Sequence, residues 1–215
     1  TVADKITEKQ QEDAVEALKG SGIAVSGNEK VYVQTYMEIT PTAYDEENGT
    51  VTLDIQPMYR VVASTAEKAE DIKLDGEGEN AVVLEGSEKP LTNIKTISIT
   101  VTLPDEFTAA EDTTYYAKHI HEGKTYYYPL TISEGEATFL NTNGFSEISL
   151  PVNINPAASI GGSYYATLQE AVNDAGDGDT VRILSKDAEL TAAMSGSSRT
   201  ITVENGTDAE ITVKI

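Results

Sequence analysis

The chain has 215 residues, 36 of them acidic and 15 basic, for a formal net charge of −21. A polyanion repels nucleic-acid phosphates and anionic lipid surfaces, so neither nucleic acid nor membrane insertion is expected of it. The absence of cysteine excludes disulfides, thiolate zinc sites and cysteine nucleophiles, while 39% hydrophobic residues suffice to build one large domain or two smaller ones.

No apolar run reaches the length of a membrane span. No signal peptide opens the chain, so residue 1 is expected to follow a removed signal or to lie inside a longer protein. Tryptophan is absent and tyrosine reaches 11. With frequent Thr, Val and Ile, this composition suits pleated, half-buried surfaces.

The first predicted element is a helix. Thr7 and Gln10 form a capping box, Ala14, Val15 and Leu18 a short apolar stripe, and Gly20 a C-terminal stop. From Val31 the period changes to two. One strand runs through Val31, Val33 and Met37 to Ile39 and is expected to end at Pro41; Asp45 to Gly49 is a charged turn. Val51, Leu53 and Ile55 alternate, and Tyr59 to Ala63 continues past Pro57, which marks an edge, bulge or break. Residues 64–80 are polar and read as a long loop with one helical turn, followed by a short strand at Ala81 to Leu84. Ile97, Ile99, Val101 and Leu103 give the clearest alternation, stopped by Pro104.

A hairpin follows. Tyr115 to His121 and Thr125 to Ile132 flank Glu122-Gly123, a two-residue turn. Strands at Ala137 to Leu140 and Phe145 to Ile154 complete an antiparallel sandwich. Its expected core is Val51, Leu53, Ile55, Ile97, Ile99, Val101, Leu103, Leu130, Ile132 and Phe139.

Pro156 divides the chain into 1–156, the sandwich with its N-terminal helix, and 157–215. Behind it Thr167 and Glu170 form a second capping box. Leu168, Ala171, Val172 and Ala175 then form a helical face ended by Gly176. Asp177 to Leu184 turns into a strand, with further strands at Thr200 to Val203 and Ile211 to Ile215.

Two stretches resemble known families. Residues 160–184, Ile-Gly-Gly-Ser-Tyr-Tyr-Ala-Thr-Leu-Gln-Glu-Ala-Val-Asn-Asp-Ala-Gly-Asp-Gly-Asp-Thr-Val-Arg-Ile-Leu, resemble the opening of a right-handed parallel β-helix, where a capping helix precedes a Gly-Asp-Thr turn and the first rung. Lys118 to Leu150 is similar to an immunoglobulin-like module. Its marks are the His-Ile-His-Glu-Gly-Lys hairpin, the Thr138-Phe139 strand and the closing Phe145-Ser146. Both occur in large surface proteins of Gram-positive gut bacteria. The resemblance implies an exported, cell-wall-associated parent protein in which this chain is a mainly β segment: a sandwich, then the start of a β-solenoid. No Leu-Pro-x-Thr-Gly sorting signal is present.

The candidate chemistry is thin. His119 and His121, the two histidines, lie two apart on one strand and share a face. The two-residue turn pairs position 119 with 126, so Tyr126 and Tyr128 share that face, pointing inward or to the core's rim. Glu122 points elsewhere, which leaves two ligands and a polar-aromatic patch rather than a metal site. Tyr115, Tyr116, Tyr126, Tyr127 and Tyr128 could stack on sugars, yet cross-strand aromatic pairs are ordinary sheet stabilisers. Asp174, Asp177 and Asp179 lack EF-hand spacing and read as a solvated turn. There is no Gly-x-Ser-x-Gly elbow and no dinucleotide or P-loop glycine pattern. An internal amide from Lys30 to Asn153 or Asn155, assisted by Glu38, stands against the reading of these as ordinary exposed side chains.

These features predict a non-enzymatic stalk or adhesin module with no cofactor or metal, whose partners are other domains of the same protein. The alternative is a glycan- or protein-binding module using the tyrosine-rich hairpin 115–130, with Tyr126, Tyr128, His119 and His121 as ligand-binding residues.

Overall fold

The computed structural model describes residues 30–74, 77–91, 96–190 and 199–209. The expected helix at Thr7 to Gly20 and the strand at Ile211 to Ile215 lie outside these residues. The described chain is mainly β, with largely antiparallel sheets. It forms two compact units, one from Thr1–Ile39 and Ile55–Ile94, the other from Thr40–Asp54 and Lys95–Ile215.

Two long strands, β1 (Lys30–Asp45) and β2 (Thr50–Ser64), contribute to both units. β1 runs straight through Pro41, where the sequence suggested a stop. Among the described residues it lies at the end of its sheet, and an edge strand tolerates a residue that cannot donate to the ladder. β2 likewise continues unbroken through Pro57, whose carbonyl accepts from the Leu91 amide at 2.8 Å.

In the first unit β2 pairs with β3 (Ala81–Val83) and with β4 (Lys89–Pro90). Val61 and Leu84 are buried together, with Val31 and Val33 packed against them. The loop after β2 contains one 3-10 turn, Ala69–Asp71. Asn80 fastens that loop: its Oδ1 accepts from the Lys73 amide at 2.8 Å and its Nδ2 donates to the Asp71 carbonyl at 3.0 Å. The Lys30 amine is held by Glu67 at 2.5 Å on the surface.

The second unit holds β5 (Ile97–Thr102), β6 (Tyr115–His121), β7 (Lys124–Pro129), β8 (Thr131–Ser133), β9 (Glu136–Asn141) and β10 (Glu147–Asn153). They are followed by β11 (Ala158–Ile160), β12 (Ser163–Tyr165), helix α1 (Leu168–Asp174), β13 (Thr180–Ile183) and β14 (Thr202–Asn205). One sheet continues from residues 51–54 of β2 through β10, β6, β7, β12, β11 and β13 to β14; the other is ordered β5, β9, β8.

The register of β5 is the expected one. Ile99 faces Phe139 on β9 and both are buried, while Ser98 and Thr100 are exposed. Leu53, Ile55, Leu103 and Phe139 are buried as predicted; Val51, Ile97, Val101, Leu130 and Ile132 are only half-buried. The Tyr128 ring stacks on the Phe139 ring, centroids 6.1 Å apart, which brings the two sheets together.

One predicted strand is two. The run from Thr125 to Ile132 stops at Pro129. The Leu130 amide still donates to the Tyr115 carbonyl at 2.8 Å, and the chain then joins β9 as β8. Alternation of side chains continued across the crossover and concealed it.

Helix α1 has the expected capping box, with Thr167 accepting from the Glu170 amide and Glu170 accepting from the Thr167 amide. Leu168, Ala171, Val172 and Ala175 are buried. β13 and β14 pair in parallel with an offset of 22 residues, Thr180 opposite Thr202. β14 thus begins two residues later than the sequence suggested. Among the described residues no helix is long and apolar enough to cross a membrane.

Candidate functional site

The β6–β7 hairpin closes as its sequence dictates. Glu122 and Gly123 both have positive φ, 50° and 76°, the geometry of a type I′ turn. Glycine adopts it freely and Glu122 is the residue that carries the strain. The turn sets His119 opposite Tyr126, and His119, Tyr126 and Tyr128 face the interior. Both His119 and Tyr128 have 0% exposure, Tyr126 is buried, and His121 is half-buried at the rim.

Hydrogen-bond directions around His119 follow from donor supply. The Tyr128 oxygen accepts from Asn143 Nδ2 at 3.1 Å and faces His119 Nδ1 at 3.2 Å. Its own proton is accommodated by donating to His119 Nδ1. The other ring nitrogen, Nε2, then carries hydrogen and donates to Ser146 Oγ at 2.9 Å. Ser146 Oγ donates in turn to the Ile120 carbonyl at 2.7 Å. The Ser146 oxygen therefore also accepts from His121 Nδ1 at 3.3 Å. These assignments form one directed chain, Asn143 to Tyr128 to His119 to Ser146 to the backbone.

The chain is electrically neutral, and the imidazole is held that way. Burial pushes His119 down to about 4, helped by the neighbouring His121. The two imidazole rings stack at 5.4 Å, so a charge on either repels the other. Burial also raises the Tyr128 hydroxyl. Beside this chain Asn141 is fully buried. Its Nδ2 donates to the Gly144 carbonyl, and its Oδ1 is the one buried side-chain polar atom without a partner among the described residues.

A second cluster surrounds Asp174, at the last turn of α1. Its Oδ2 accepts from the Tyr165 hydroxyl at 2.6 Å; its Oδ1 accepts from the Tyr126 hydroxyl at 3.4 Å and pairs with the Lys124 ammonium. Burial raises Tyr126 to about 12, with the Asp174 charge adding to it; burial and then the hydrogen bond to Asp174 raise Tyr165 as well. The other two carboxylates of the acidic turn serve the backbone: Asp177 Oδ1 accepts from the Thr200 amide at 2.7 Å, and Asp179 Oδ2 from the Gly176 amide at 2.6 Å. Gly176, Asp177 and Gly178 are exposed, as expected of a solvated turn; Asp174 alone departs from that reading. No group of three His, Cys, Asp or Glu side chains among the described residues converges on a metal position.

Of the residues expected to bind a ligand, Tyr126, Tyr128 and His119 are interior and their polar atoms are engaged, and His121 alone reaches the rim. The sequence reading missed Ser146, Asn143, Ser163 and Tyr165 as partners, and Asp174 as the centre of a cluster. Asp174 did carry a signal: an acid in the last turn opposes the helix dipole, so it needs compensation from outside the helix. No protein family matches the chain, and neither a curated protein nor a solved structure matches it significantly.

Proposed function

We propose that the chain is a non-enzymatic structural module, a stalk or adhesin segment of an exported, wall-associated bacterial surface protein. The observation that carries this reading is the hydrogen-bond chain through His119. Ser146 Oγ lies between the two histidines and donates to the Ile120 carbonyl, and in the tautomers assigned above both ring nitrogens facing it carry hydrogen. With those tautomers neither imidazole is available as the base that nucleophilic catalysis requires. A net charge of −21 supports solubility outside the cell.

Under this reading the antiparallel part up to residue 156 is an immunoglobulin-like sandwich. Residues 157–215 are a capping helix and the first rungs of a right-handed parallel β-helix. The capping box of α1 and the in-register parallel pairing of β13 with β14 support that assignment. The partners are other domains of the same protein.

The tyrosine-hairpin alternative depends on faces of Tyr126 and Tyr128 that are buried, so a sugar would have to open the sandwich to reach them. The purified chain should give no saturable binding on an array of bacterial and host glycans. Saturable binding competed by free sugar would overturn the stalk reading and favour a glycan-binding module.

A further inference from the structure

We propose that the passage from the hairpin into the segment after Pro156 is a rigid joint, riveted by Asp174, rather than a linker between separately mobile pieces. This rests on the structural reading above and specifies how such a module would transmit force along its length.

A flexible linker is exposed and makes few contacts across it. Here the opposite holds. Ala157 and Ala158 are buried, the Ala157 amide donates to the Tyr165 carbonyl at 2.9 Å, and the Leu184 amide donates to the Ala157 carbonyl at 2.9 Å. β12 extends the hairpin sheet by pairing Tyr164 with Tyr127. On one side of the sheet the Tyr116 and Tyr164 rings lie 5.7 Å apart. On the other, Asn143 Nδ2 donates to Ser163 Oγ at 2.8 Å.

Asp174 ties these elements together. Its carboxylate is 17% exposed and binds one residue from β12, Tyr165, and two from β7, Tyr126 and Lys124. The Tyr126 and Tyr165 rings meet edge to face at 5.9 Å beneath it. Three elements, β7, β12 and α1, thus share one anion. The carboxylate sits where the helix dipole disfavours it, so these donors, and not the helix, hold its charge.

Hydrogen exchange on the full chain tests the joint. Asp174→Ala should speed exchange in 158–165 and 180–183 by about tenfold to a hundredfold, the scale of losing hydrogen bonds to a charge. Amides of β5 and β9 should keep wild-type rates. Tyr165→Phe, which keeps the ring and loses one bond, should give a smaller acceleration confined to the same segments, and it carries the test if Asp174→Ala does not fold. Unchanged exchange at 158–165 in both variants would overturn the joint. So would acceleration spread equally over β5 and β9 in Tyr165→Phe, which would make Asp174 a support of the whole unit. A glycan partner would defeat the stalk reading and leave these rates as they are.

Discussion

In the β6–β7 hairpin, Ala117, His119 and Tyr128 have no exposed surface, whereas every residue of β14 is exposed. The hairpin and β14 lie in the same sheet. The hairpin gains a lid from β9, where Phe139 stacks on Tyr128. β14 has parallel pairing to β13 and turn hydrogen bonds such as Thr202 amide to Asp179 carbonyl at 2.8 Å. The difference shows that backbone pairing and burial are separable. A ladder can propagate one strand beyond the apolar cover that stabilises it, and local stability should fall along the way.

The largest expected effect lies in the hairpin. Tyr128→Ala should cost about 3–5 kcal/mol, from lost burial plus the cavity left against Phe139. Tyr128→Phe keeps the ring and should cost about 1–3 kcal/mol, because Asn143 Nδ2 and His119 Nδ1 lose a partner. Urea denaturation of both variants would measure the split. A near-neutral Tyr128→Phe would show that the directed chain through His119 contributes no net stability.

Next comes pH. The folded-state value of His119, about 4, lies below the ordinary value of 6.5. The unfolded chain therefore binds more protons between these limits, and stability rises with pH. The contribution is fully present above about pH 6.5, falls as the pH drops, and is gone below about pH 4; its size is on the order of 3 kcal/mol. Carboxylates titrate in part of this window, so the informative quantity is a difference. The stability loss between pH 7 and pH 4 should be smaller in His119→Gln than in wild type. Equal losses would mean that His119 is hydrated or charged in the folded protein.

The hairpin was also the most legible region. The Glu122-Gly123 turn fixes the His119–Tyr126 register by counting alone, and period-two alternation then assigns the inward face. The capping box at Thr167 and Glu170 is equally local. What escaped were contacts between residues far apart in sequence. Ser146 is 27 residues from His119 and Asp174 is 48 from Tyr126, and no periodicity links them. The crossover at Leu130 escaped for another reason: side chains alternate identically whether a strand continues or changes sheet. Pro41 was misread because a proline stop depends on whether the strand lies at an edge, which is a tertiary property.

A glycine sharpens the same comparison at smaller scale. Gly144 has φ of +77°, and a Cβ there would lie 2.6 Å from His121 Nε2. Gly144→Ala should cost about 1–3 kcal/mol by backbone strain and by pushing the imidazole off Ser146. The His121 ring resonances should shift in the same variant. A neutral effect would show that the rim histidine is free to move and that the close approach is not needed.

The smallest effect should come from β14. Val203 pairs with Val181 in the parallel ladder, so the two side chains share a face, yet Val181 is buried and Val203 is 50% exposed. Their chemistry is identical; only cover differs. Val203→Thr should change stability by less than about 0.5 kcal/mol, as surface substitutions do. The same change at Val181 should cost about 1–3 kcal/mol, because its hydroxyl would enter an apolar site with no partner. Denaturation midpoints of the two variants give the contrast directly. If Val203→Thr cost as much as Val181→Thr, the face of β14 would be covered in solution. The decline of burial along the sheet would then end in an interface rather than in an exposed strand.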